Sequence, residues 1–170
     1  MVNPFDTFAV IAQLSVAFAG FGSIASGLGQ RGAGADAKLD AHRLTLMLIG
    51  SLSATVFALL PATLSLFIAR ERWVYCGSSL IALTVLICLS REHARRAIAV
   101  RRAPGFSGGA AIAVTASAIV GVAALAFCAA GFPGDRLPGL YLLALMALLS
   151  ASVINFWLVT RSLLQPYNWT

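Results

Sequence analysis

Long apolar runs of about 20 residues recur along this chain with almost no charge inside them, and short polar segments separate one from the next. A helix rises 1.5 Å per residue, so about 20 residues cross the roughly 30 Å hydrocarbon core of a bilayer. A soluble domain keeps its surface wet with about a quarter of its residues charged. Here 11% are charged and 59% are hydrophobic, and mean hydropathy is +0.88. The charges gather between the runs, as they do when lipid rather than water solvates most of the surface. The expected fold is therefore all-α: a polytopic transmembrane helical bundle of about five spans in a single domain, 1–170.

Local signals set the expected boundaries at about 5–28, 44–69, 73–89, 110–132 and 139–160. Asn3 and Pro4 suit the cap and first position of a helix, and Asp6 meets the amides of its first turn. The first run lacks a basic segment before it, so it reads as a retained helix and not a cleaved signal. Gly29-Gln30-Arg31 ends that run, and 31–36 is a glycine-rich turn. Pro61 interrupts the second run. It removes one backbone hydrogen bond, which a membrane tolerates when a neighbour satisfies the freed carbonyl. Arg70-Glu71-Arg72 predicts a tight turn, with Trp73 opening the third span. The third span is short, and Ser90–Val100 is predicted to continue it as a basic helix before the loop that closes at Gly109. Pro133 to Pro138 reads as a turn.

Charge predicts an orientation. Arg31, Lys38, Arg43, Arg91, Arg95, Arg96, Arg101, Arg102 and Arg161 would share one face, and Arg70, Arg72 and Arg136 the other. Nine against three places the N-terminus outside and the C-terminus inside. Asp6, Glu71 and Asp135 balance the three outer arginines, so the whole formal charge of +6 falls on the cytoplasmic face. The cluster Arg91, Arg95, Arg96, Arg101 and Arg102 is expected to meet anionic lipid headgroups there, each charge contributing about 1 kcal/mol. Docking of an acidic partner is the alternative use. No aromatic side chains alternate with these arginines, so nucleic acid is not an expected partner.

Small residues mark two helices. In the first span Ser15, Ala19, Gly22 and Ser26 recur at steps of three and four, a face that lets another helix approach closely. In the fourth, 15 of the 23 residues from Ala110 to Phe132 are Ala, Gly, Ser, Thr or Cys. Ala113, Ser117, Gly121, Ala124 and Cys128 form one continuous small face there. Such a helix inserts weakly alone, so it is expected to be surrounded by protein or to line a pore. Gln13 and Asn155 are expected to bond another helix or a backbone carbonyl, or else to ring an oligomer axis. Cys76, Cys88 and Cys128 lie in apolar runs and read as small packing residues.

Deep in the spans there is no Asp, Glu, Lys or Arg, which counts against a proton- or ion-coupled transporter. His42 and His93 fall near the interface, where a haem-binding pair would not stand. No serine-hydrolase elbow, zinc-binding helix signature or phosphate loop occurs. Neither a catalytic residue, a cofactor nor a metal is expected.

The stretches Ala17-Phe-Ala-Gly-Phe-Gly-Ser-Ile-Ala-Ser26 and Ser51-Leu-Ser-Ala-Thr-Val-Phe-Ala-Leu-Leu-Pro61 resemble small bacterial polytopic inner-membrane proteins of uncharacterised function. The resemblance covers about the first 60 residues and the span pattern, and it carries over no functional residue. It implies a multi-pass protein of the bacterial cytoplasmic membrane. The expected function is a non-enzymatic membrane subunit that assembles through small-residue helix faces, with itself or within a larger membrane complex. The alternative is a homo-oligomeric pore whose axis is lined by the Ser117-Gly121-Cys128 face or by Gln13 and Ser15.

Overall fold

A computed structural model of the chain describes residues 4–29, 35–100, 108–132 and 136–164. The described residues form five helices: α1 (Pro4–Gly29), α2 (Ala35–Ser65), α3 (Glu71–Val100), α4 (Gly108–Ala129) and α5 (Leu137–Leu164). Each contains a stretch of 21 to 27 residues that is long and apolar enough to cross a membrane.

The helices close into a ring in chain order, with α1 packed on both α2 and α5. Helix α5 touches every other helix, and α2 also packs directly on it, so these two form the centre. Phe8 of α1 stacks edge-on to Tyr141 of α5 at 5.8 Å, and ten residues further along α1 Phe18 meets Phe156 at 6.0 Å. The two helices therefore run parallel. Helix α2 opposes them: Phe57 lies beside Tyr141, while Gly50, earlier in α2, lies beside Ser152, later in α5.

The core is richest at the end where α1, α3 and α5 begin. Phe8, Phe57, Tyr75 and Tyr141 are fully buried there, and the rings of Phe8, Tyr75 and Tyr141 stand 5.8–6.3 Å apart. Each such pair adds about 0.5–1.5 kcal/mol beyond simple burial. The lateral surface is the inverse of a soluble protein's. Ile24 is 63% exposed, Val56 56%, Leu80 61%, Ile112 72% and Trp157 64%, one on each helix. Large apolar side chains exposed on every helix are compatible with a surround of acyl chains.

Two helices stop short of the sequence expectation. Helix α2 stops at Ser65, four residues before the expected 69. The backbone turns at Leu66 and Phe67, with the amides of Leu66, Phe67 and Ile68 donating to the carbonyls of Thr63 and Leu64. The charged trio is thus not the turn. Arg70 caps α3 by accepting from the Trp73 and Val74 amides, and Glu71 and Arg72 form the first helical turn. Glu71 there complements the positive end of the helix dipole. Helix α4 ends at Ala129, not at 132, because Gly131 adopts φ +73°. Gly131 donates to Cys128 and Phe132 to Phe127, the paired bonds of a Schellman cap. Arg72 lies over this cap, its guanidinium within 3.0 Å of where a Cβ on Gly131 would stand. Helix α3 runs unbroken to Val100, well past its span, which closes at Arg91.

Candidate functional site: the helix faces

The proline in α2 shows how this bundle handles polar groups. Pro61 has no N–H to donate to the Phe57 carbonyl four residues earlier. The Tyr141 hydroxyl donates to that carbonyl instead, at 2.7 Å. Both Pro61 and Tyr141 are fully buried. The helix break and the tyrosine therefore form one unit across the central α2–α5 contact. From the sequence the orphan carbonyl is identifiable by spacing alone, but its donor, 84 residues away, is not.

The small-residue faces are largely used inside the chain. On α1, Ser15 and Gly22 are buried and Ala19 is half-buried. A Cβ on Gly22 would overlap the Met47 methyl and press on Leu48, so this stripe seats α1 on α2. The Ser26 side chain lies outside the described residues. On α4, Gly121, Ala124 and Cys128 are buried. A Cβ on Gly121 would stand 3.4 Å from the Ala147 Cβ and 3.5 Å from the Ala144 carbonyl, so α4 lies close along α5. The stripe does not continue to the other end of α4. Ser117 is half-buried and donates back to the Ala113 carbonyl at 3.0 Å, and Ala113 itself is exposed. The expectation that α4 is surrounded by protein is thus met by this chain on one side only. Ile112, Ile119, Val120, Val122 and Phe127 cover the other side.

Cysteines join α3 to α4 at the buried end of this contact. The Cys76 thiol donates to the Cys128 carbonyl at 3.3 Å, and the Cys128 thiol reaches the Tyr75 carbonyl at 3.8 Å and the Leu137 carbonyl at 3.6 Å. Cys88 is exposed on α3. Among the described residues, no three His, Cys, Asp or Glu side chains gather closely enough to share a metal ion.

Gln13 and Ser15 do not share a face. Ser15 points into the bundle with no exposure, and Gln13 points out of it. Helix geometry explains the split, since two residues along a helix turn by about 200°. Asn155 is buried on α5, and its amide donates to Ala151 of its own helix at 2.8 Å. It bonds a backbone carbonyl, as expected, and faces away from any oligomer axis outside the bundle. Among the described residues, the buried hydroxyls of Ser15, Ser51 and Ser78 have no hydrogen-bond partner. Of these the sequence pattern singled out Ser15 alone, because serine is too common in membrane helices to mark a contact by itself.

The basic cluster is only partly described. Arg91 is exposed at the end of the α3 span. Arg95 and Arg96 lie on the backbone of the α3 extension, their side chains outside the described residues. Arg101 and Arg102 fall outside the described residues altogether. Near the same end, Asp40 and Arg43 pair at 3.2 Å one turn apart on α2.

Comparison of this chain with protein-family models, with characterised proteins and with solved structures returns no match in any of the three.

Proposed function

We propose that the protein is a non-enzymatic integral subunit of the bacterial inner membrane that assembles laterally, with itself or with other membrane subunits. The observation that carries this reading is how its polar groups are spent. The hydroxyls of Thr55, Thr63, Thr84, Thr115 and Ser150 all donate back to carbonyls of their own helices, and Tyr141 satisfies the proline break. The threonine and serine groups are satisfied within their own helices and Tyr141 ties α5 to α2, so none of them is left to meet a substrate. In this reading the N-terminus faces outside, the C-terminus faces the cytoplasm, and the arginines of α3 meet anionic headgroups.

The pore reading draws less support. The Gly121-Cys128 part of its lining is packed against α5 and α3, and Ser15 is packed inside the bundle. Native mass measurement in lipid nanodiscs tests the assembly reading directly. The expected result is a mass above that of one 17.7 kDa chain, from a second copy or a different membrane subunit. A lone chain at every protein density would overturn it.

A further inference from the structure

We propose that the outward face of α1, centred on Gln13, seats a second copy of this chain. The inference deepens the assembly reading and rests on it. Phe8, Ile11, Ser15 and Gly22 are the buried side of α1. At 100° per residue, Ala9, Gln13, Ala17 and Gly20 stand on the opposite side, and all four are exposed. Gln13 is nine residues from Pro4 and eleven from Ile24, the limits of the span. It is therefore about 14 Å from one end and about 16 Å from the other, too deep for a short side chain to reach water. It has no hydrogen-bond partner among the described residues. An amide in that position is costly until a hydrogen-bonding group covers it.

The surroundings of Gln13 allow close approach. Gly20 has nothing within 4 Å of where its Cβ would stand, whereas Gly22, two residues on, is filled by α2. Ala9 and Ala17, one turn either side of Gln13, add no bulk. A second α1 can come near enough for side-chain amides to meet.

The chemistry of Gln13 favours a copy of itself over another subunit. A primary amide both donates and accepts, so two of them pair reciprocally across a two-fold axis along the membrane normal. Two copies inserted the same way present Gln13 at the same depth without further adjustment. Asp6 shares this face, but at the helix end, where water and salt screen the like charges.

Single-molecule photobleaching of fluorescently tagged protein in large liposomes, over a range of protein-to-lipid ratios, tests the seam. Wild type should show two-step bleaching that grows with density. Gln13→Leu should raise the dimer dissociation constant by about 3- to 30-fold, the range of one interhelical hydrogen bond in a membrane. Gly20→Leu should raise it further by blocking the approach, and Gln13→Asn should retain most of the affinity. Ile112→Ala, on the far helix α4, should change nothing. Because Gln13 is exposed and nothing lies within 4 Å of where a Gly20 Cβ would stand, the monomer should keep its thermal stability in each variant. A dimer indifferent to both α1 substitutions overturns the seam and leaves the assembly reading standing. So does a wild type that is single in liposomes yet carries a different subunit in the native mass. A wild type single in both measurements overturns seam and assembly together.

Discussion

Tyr141 holds a hydroxyl where a backbone amide would otherwise have been. Its bond to the Phe57 carbonyl replaces the one Pro61 cannot make, so the two residues should be coupled energetically. Tyr141→Phe leaves that carbonyl without a donor and should cost about 1–3 kcal/mol of unfolding free energy. Pro61→Ala restores a donor within α2. In that background, the same tyrosine change should cost at least about 0.5 kcal/mol less, the scale on which contacting residues depart from additivity. Reversible unfolding in mixed micelles measures both values. Equal cost in the two backgrounds would show that the tyrosine acts by packing alone. Half of this unit is written in the sequence, because Pro61 names Phe57 by its spacing. The other half depends on which helix crosses α2 at that level, and no local pattern states it.

Helix α4 shows what small residues do and do not imply at the scale of an element. Composition predicts protein on all sides, since a helix so poor in large side chains gains little from lipid. The bundle supplies protein on one side, through Gly121, Ala124 and Cys128, and leaves Ala113 and Ile112 facing outward. A stripe of alanine and glycine specifies how close a neighbour can come, not how many neighbours there are. Cysteine labelling with a lipid-soluble maleimide, in a Cys88→Ser background, separates the two sides. Ala113→Cys should label readily, and Ala124→Cys should stay protected beside native Cys128. Labelling of Ala124→Cys as fast as Ala113→Cys would mean that α4 does not lie along α5. The α1 stripe allowed two uses, packing within the chain or an oligomer seam, and the chain itself takes it up. Ser15 is buried and Gly22 is filled by Met47, as packing within the chain requires, and the open glycine is Gly20. Periodicity identifies a face but cannot say whether the chain itself will cover it.

For the whole molecule, orientation rests on charge summed over loops. Nine basic residues against three predict the segment around Asp135 outside and the C-terminus inside. A periplasm-active reporter inserted at Asp135 and a cytoplasm-active reporter at the C-terminus should both be functional. An active cytoplasmic reporter at Asp135 would reverse the orientation. Large exposed apolar side chains on all five helices are compatible with a bilayer in either orientation, so the reporters alone decide it.

The sequence by itself determined the class of structure: five membrane-length helices, with α3 extended to Val100. Hydropathy and length are local sums, and in lipid every backbone amide must be satisfied within its own segment. The same locality let Pro61 announce an orphan carbonyl. Only the tertiary structure decided that Tyr141 answers Pro61, that Gly22 and Gly121 are filled, and that Gly20 is open. It also decided that Gln13 faces outward while Ser15 faces in. Those outcomes depend on the order of helices around α5 and on the depth at which they cross. Neither is encoded in any one segment, because helices of similar apolarity can pack in many orders. The choice among those orders rests on side-chain fit summed over the whole bundle.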